Sequence, residues 1–263
     1  MANVREIFET LNEFAPVSMK MDFDNVGFLV GEADREVRTV LLSLDITDEV
    51  IEEATALGAE LIVSHHPLFF SLKTVTDEDA TGRKLLKLIK SGISVICMHT
   101  NLDAAEGGVN DVLAKKVGIA IPELLTIEGY DESGRPYCIG RFGEIGEEMS
   151  FADYLNYIKT TLSCNGLRYV SSGKRVNKVA VMGGSGGSEI QLAIKKGCDT
   201  YITSDIKYHQ FIEAKEAGIN IIDAGHFCTE NVVIPVLESY LKNKFSTVGF
   251  VKSSRHTQTE MFF

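Results

Sequence analysis

The stretch Leu61-Ile62-Val63-Ser64-His65-His66-Pro67 is where the fold class and the chemistry of this chain first become legible. Three consecutive apolar residues predict a short buried strand. Two imidazoles then stand where the strand ends. Successive strand side chains point to opposite faces, so neighbouring histidines serve one site only where the chain turns. Pro67 predicts that turn, because it holds His66 out of the α region and cannot donate to a sheet ladder.

The arrangement recurs along the chain. Val95-Ile96-Cys97-Met98 runs into His99-Thr100-Asn101-Leu102-Asp103. Far downstream, Ile219-Asn220-Ile221-Ile222 leads into Asp223-Ala224-Gly225-His226 and then Glu230. Each feature has an ordinary explanation alone. Paired histidines can cap a strand in partial solvent, Asp103 can serve a turn, and Glu230 can favour a helix N-terminus. Three strand ends that all deliver His or carboxylate are better explained as ligands converging on metal in an α/β protein.

Working outward, strands and helices alternate. Val4, Ile7, Phe8, Leu11 and Phe14 lie at helical spacing. Strands are predicted at 39–44, 60–64 and 93–98, and helices at 47–57, 82–91 and 110–117, the last three ended by Gly58, Gly92 and Gly118. The region 124–175 changes character, with strands predicted at 139–146 and 167–170 around a helix at 150–162. It suits either a connecting layer or part of a second sheet. The last third repeats the first. Val179–Met182 matches Val40–Ser43, residues 197–205 lie over 58–66, and 218–222 lie over 92–96. The predicted fold is therefore α/β: two similar, intertwined halves from an internal duplication, with mainly parallel sheets flanked by helices. The halves are placed at residues 1–123 and 124–263. Asp205 falls where His66 falls in the first copy, and a site drawn from both copies would lie in the crevice between them.

Composition narrows the function. The 263 residues carry a formal charge of -11 and 44% hydrophobic content. This acidic balance argues against nucleic acid as a partner, since duplex binding relies on basic surface. No apolar run reaches membrane-spanning length, and the N-terminus lacks the pattern of a signal peptide. Five scattered cysteines without a Cys-x-x-Cys fit reduced thiols in the cytoplasm.

Three histidines and two carboxylates exceed what one tetrahedral zinc needs and suit two divalent ions. Two such ions against two carboxylates leave a positive centre, which favours a small anionic substrate despite the acidic chain. The donor set does not choose among Zn, Fe, Mn, Co and Ni. His99 and Asp205 are candidate proton carriers. Gly183-Gly184-Ser185-Gly186-Gly187-Ser188 follows a strand and opens a helix, where backbone N–H groups can cradle phosphate. It is neither a Walker A nor a G-x-G-x-x-G sequence, and a close-packed turn is the alternative. His256, in the polar tail, has no partner that the sequence identifies.

Together, Phe23-Asp24-Asn25-Val26-Gly27, Ser64-His65-His66-Pro67-Leu68, His99-Thr100-Asn101-Leu102-Asp103, Asn110-Asp111 and Asp223-Ala224-Gly225-His226 with Glu230 resemble the NIF-three-like family. That family includes the GTP cyclohydrolase 1 type 2 homologues and the YbgI/YqfO-like dinuclear metal centre proteins. The resemblance covers nearly the whole chain. It implies a two-part α/β fold, a toroidal homohexamer, and two divalent metals per chain held by His65, His66, Asp103, His226 and Glu230. Family members commonly have Trp where this chain has Phe23. Longer members insert a domain of about a hundred residues between the halves, and this chain looks like the short form. The implied activity is metal-dependent hydrolysis of a nucleotide-like or phosphorylated small molecule. The alternative is a non-catalytic, hexameric metal-binding or regulatory protein.

Overall fold

The computed structural model describes residues 2–263. It is α/β, with mixed, mainly parallel sheets flanked by helices. The chain forms two compact units, each discontinuous in sequence: Met1–Leu102 with Ile234–Thr257, and Asp103–Val233 with Gln258–Phe263.

The first unit is built on a five-stranded sheet in the order Gly249–Lys252, Thr39–Ser43, Leu61–Ser64, Ser94–Cys97, Gly27–Val30. All neighbours are parallel except the last pair. Leu61–Ser64 and Ser94–Cys97 are buried at every position, as their unbroken apolar sequences require in a sheet covered on both faces. One face packs against the helices Asp48–Leu57 and Ala80–Ser91, and the core there includes Leu41, Val50, Ile51, Ile62, Leu85, Leu88 and Val95. The side chains of Thr47 and Asp79 cap these helices, accepting from the amides of Val50 and Gly82. The helix Val4–Phe14 opens with a capping box formed by Asn3 and Glu6. Near its end, Phe14 packs on Tyr240 of the helix Ile234–Lys244 at 4.7 Å between centroids.

The second unit has a six-stranded sheet in the order Arg168–Val170, Asn220–Asp223, Thr200–Thr203, Val176–Val181, Arg141–Met149, Glu123–Leu124. The three middle strands from 176 to 223 are parallel and the others antiparallel. The region 124–175 thus joins the second sheet. Its helix Phe151–Thr161, capped by Ser150, buries Tyr154 and Ile158 beside Val176, Val179 and Ile202.

The duplication expected from sequence is visible in hydrogen bonding. Glu60 Oε2 accepts the amides of Arg38 and Thr39 at 3.0 Å each. Its counterpart Asp199 accepts the amides of Asn177 and Lys178 through Oδ2 at 2.9 and 2.7 Å. A five-residue helix follows the third strand in both copies, Thr100–Ala104 and His226–Glu230. Asp103 therefore sits in a helical turn, where the sequence had suggested a loop. A short polar segment after a strand carries no 3.6-residue apolar period, so its helicity was not readable.

Candidate metal centre

In the first unit the strand ends bring three imidazoles together. The ring centroids of His65 and His66 are 5.0 Å apart, and His99 lies 5.2 and 5.4 Å from them. One nitrogen from each lies within 4.8 Å of the others, close enough to share a cation. Leu61–Ser64 and Ser94–Cys97 are adjacent parallel strands with Ser64 beside Cys97, and that register, carried past the strand ends, sets His65 beside Met98 and His66 beside His99.

Each of these rings is oriented through Nδ1. His65 Nδ1 lies 2.8 Å from the carbonyl of Met98, His66 Nδ1 lies 2.7 Å from Asp45 Oδ1, and His99 Nδ1 lies 2.8 Å from Asp24 Oδ1. A carbonyl or carboxylate can only accept, so Nδ1 carries the proton and Nε2 carries the lone pair of the neutral ring. Fixing a tautomer this way is how proteins prepare histidine as a metal ligand.

Asp24 does more than hold His99. It also accepts from the amide and the hydroxyl of Thr100, at 3.0 and 2.5 Å. Burial opposes its charge, but the bonds from His99 and Thr100 prevail and hold its carboxyl down at about 2. Burial likewise opposes ionisation of Asp45, and the bonds from His256 and His66 keep it well below the usual carboxylate range. Next to Asp24, Asn25 Nδ2 donates to the carbonyl of Phe69 at 2.7 Å. This ties together two turns that present Phe23 and Phe70, which are 63% and 57% exposed with centroids 6.2 Å apart. Phe70 is 6.0 Å from His99.

In the second unit the strand end after Asn220–Asp223 presents His226 and Glu230 on one helical face, as their four-residue spacing predicts. His226 Nε2 is 2.9 Å from Glu230 Oε2, and Nδ1 is 2.8 Å from Asp205 Oδ2. Burial works against a charge on His226, but hydrogen bonds to Asp205 and Glu230 outweigh it and push the imidazolium up to about 11. A cation replacing the Nε2 proton would meet the Nε2–carboxylate pair already in position. Asp205 also accepts from Ser185 and holds a left-handed φ of 55°. Its carboxyl is held low, chiefly by the His226 bond. Asp103 is buried, and its carbonyl accepts from Asn110 Nδ2 at 3.2 Å. The same Asn110 accepts the amide of Gly183 at 2.8 Å. Asp111, beside it, pairs with buried Arg141 at 2.5 Å.

The glycine loop is a packed turn. The amides of Gly183, Gly184 and Gly186 donate to Asn110, Thr229 and Thr203. These internal bonds take up three of the loop amides that a phosphate cradle would draw on. A Cβ on Gly184, whose φ is +63°, would stand 2.1 Å from Glu230 Oε1 and 3.1 Å from His226 Nε2. Glycine is needed there because the carboxylate lies against the backbone.

His65, His66 and His99 thus group in one unit, and His226, Glu230 and Asp205 in the other. Sequence reasoning missed Asp24, Asp45 and His256. Asp45 offered a signal, since it too follows a predicted strand end. Asp24 stands in the Phe23–Gly27 motif, but neither it nor His256 carries a local signal that pairs it with a distant site residue.

The chain is similar to known proteins over its whole length. The family model described as Duf34/NIF3 (NGG1p interacting factor 3) matches residues 2–259. A Clostridium perfringens protein named GTP cyclohydrolase 1 type 2 homolog is 39% identical over 254 residues, covering 95% of each chain. The crystal structure of a Bacillus cereus protein related to NIF3 superposes with a TM-score of 0.94 at 26% identity, covering 100% of this chain and 99% of that one. A Halalkalibacterium halodurans GTP cyclohydrolase 1 type 2 homolog, 26% identical, aligns over 369 positions and covers 100% of this chain and 99% of its own. Set against 263 residues here, that leaves about a hundred positions without a counterpart, so this chain is a short form. Matched from residue 2 to residue 259, the chain belongs to the Duf34/NIF3 family.

Proposed function

We propose that this protein is a metal-dependent hydrolase of a nucleotide-like or phosphorylated small molecule, with divalent metal held by His65, His66, Asp103, His226 and Glu230. The observation that carries the reading is the histidine cluster of the first unit, in which an oxygen acceptor fixes Nδ1 of every ring and leaves Nε2 of His65 and His66 as the ligand atom. His226 and Glu230 supply the same donor types from the second unit, with Asp205 fixing Nδ1 of His226. A pair of divalent ions on these donors would activate water and neutralise an anionic leaving group.

The remaining steps fall to the chain's own residues. Asp24 orients His99 and keeps its Nε2 able to accept a proton. Phe70 presents an exposed ring beside His99 with the exposed ring of Phe23 next to it, and such rings suit a planar base by stacking. These two rings favour a nucleotide-like substrate over a purely aliphatic phosphate. The toroidal homohexamer implied by the family resemblance belongs to the same proposal, and light scattering on the purified protein tests it.

The deciding experiment is metal analysis of the purified protein, followed by a hydrolysis screen that includes GTP, with and without chelator. Chelator-sensitive turnover supports the proposal. Stoichiometric metal with no turnover on any substrate refutes the hydrolase and leaves a metal-binding or regulatory protein.

A further inference from the structure

The polar C-terminal segment, which the sequence left without a role, is fastened to the first unit with one buried carboxylate, Glu53, as its main acceptor. After the strand Gly249–Lys252 pairs with Thr39–Ser43, the amide of Ser253 donates to the carbonyl of Leu42 at 2.8 Å. Glu53, on the helix Asp48–Leu57, then takes four hydrogen bonds from the next three residues. These come from the hydroxyls of Ser253 and Ser254 at 2.5 and 2.6 Å, and from the amides of Ser254 and Arg255 at 2.9 and 3.3 Å. The amide of His256 donates back to Ser253 Oγ at 3.1 Å, closing a turn.

That turn delivers the imidazole of His256 to Asp45. Its side chain is only 7% exposed, and Nε2 lies 3.1 Å from Asp45 Oδ2. The other oxygen of the same carboxylate, Oδ1, accepts from His66 Nδ1 at 2.7 Å. Asp45 itself is 43% exposed along its side chain, so without a second anchor it would be free to rotate in solvent. One carboxylate is therefore held between two imidazoles 190 residues apart in sequence, and only one of them stands at the histidine cluster.

We propose that His256 is a positioning residue for the metal centre: by holding Asp45 it fixes the Nδ1–H tautomer and the ring plane of His66. The inference rests on the reading of His66 as a metal ligand, but the relation between His256 and His66 has a readout that needs no metal. Partners that orient a metal-binding histidine commonly contribute ten- to a hundredfold to affinity, and His256 acts one bond further out, so about tenfold is expected.

The test compares wild type, His256→Phe and His256→Gln. Phe keeps the volume and removes the donor, while Gln restores an N–H for Asp45. In the metal-free proteins, long-range proton–nitrogen correlation spectra report the tautomer of each histidine. Binding of Co²⁺ is then followed by titration and by its visible absorption. The expected result is that His66 is mainly Nδ1–H in wild type and His256→Gln. It should be a mixture of tautomers in His256→Phe, with about tenfold weaker Co²⁺ binding and an altered spectrum. An unchanged His66 tautomer and unchanged Co²⁺ affinity in a folded His256→Phe would overturn the proposal. If the tautomer shifts but wild type binds no Co²⁺, the positioning relation stands and the metal-centre reading fails. If wild type binds Co²⁺ and His256→Phe leaves both the tautomer and the spectrum untouched while lowering only thermal stability, His256 is merely structural and the proposal fails.

Discussion

Nδ1 of His99 lies 2.8 Å from Oδ1 of Asp24, a carboxylate 75 residues earlier whose side chain is fully buried. The bond joins the turn before the strand Gly27–Val30 to the end of the strand Ser94–Cys97, which are antiparallel neighbours in the first sheet. It explains why an acidic residue stands in the segment Phe23-Asp24-Asn25. Asp24 sets the ring of His99, while Phe23 faces solvent and Asn25 locks the turn to Phe69.

Replacing Asp24 by Ala is expected to remove four hydrogen bonds from a buried carboxylate and leave His99, Thr100 and the amide of Asn25 without their acceptor. Loss of a buried charged acceptor costs about 2–4 kcal/mol. Urea unfolding of the metal-free protein measures it, and a change below about 0.5 kcal/mol would show that the bond contributes little.

The double replacement of His65 and His66 by Ala should abolish bound metal and leave the fold largely intact. Elemental analysis reads the first outcome and circular dichroism the second. Retention of stoichiometric metal by the double variant would refute the assigned ligands.

Gly184→Ala places a methyl group 2.1 Å from Glu230 Oε1 at a left-handed φ of +63°. The backbone term alone is about 1–2 kcal/mol. The larger expected consequence is displacement of the Glu230 carboxylate, seen as weaker divalent-metal binding in calorimetric titration. Wild-type metal affinity in this variant would mean that Glu230 is not a ligand.

Asp111→Ala would leave the Arg141 guanidinium buried without its carboxylate, although the carbonyls of Cys138, Gly140 and Ala104 would still accept from it. Removing one partner of a buried pair costs about 3–5 kcal/mol. A fall in unfolding free energy of that size, read from urea titration, is expected, and Asp111→Asn should recover part of it.

Glu53 gives the protein a specific acid sensitivity. Burial opposes its charge, yet the bonds from Ser253, Ser254 and Arg255 hold its carboxyl below the usual glutamate value. A depressed carboxyl contributes stability above its unfolded value of about 4.5 and loses that contribution as pH falls through the folded value. Hydrogen exchange along Gly249–Lys252 should therefore quicken relative to the rest of the first sheet below about pH 4.5. In Glu53→Gln that quickening should already be present at pH 7.

Much of the fold was legible because its elements announce themselves locally. Leu61-Ile62-Val63 and Val95-Ile96 are short apolar runs, and the structure buries them in adjacent parallel strands. The helices expected from 47 and 150 begin at the caps Thr47 and Ser150, whereas the one expected from 82 begins at Ala80, after the cap Asp79. The helices at 48–57 and 80–91 end at Gly58 and Gly92, both left-handed. The repeat survives as paired hydrogen bonds at Glu60 and Asp199. Other features had no local signature. The five-residue helix carrying Asp103 is too short for an apolar period, and the glycine loop fits a packed turn or a phosphate cradle equally by composition, the internal bonds of Gly183, Gly184 and Gly186 being long-range contacts.

The sequence by itself determined the alternation of strands and helices and the placing of His65, His66, His99, His226 and Glu230 at strand ends, because apolar period, caps and turns act over a few residues. Only the tertiary structure decided which oxygen holds each imidazole. Asp24, Asp45 and His256 reach their histidines through pairing of strands distant in sequence. A contact of that kind depends on the register of a whole sheet, and no pattern within either segment encodes it.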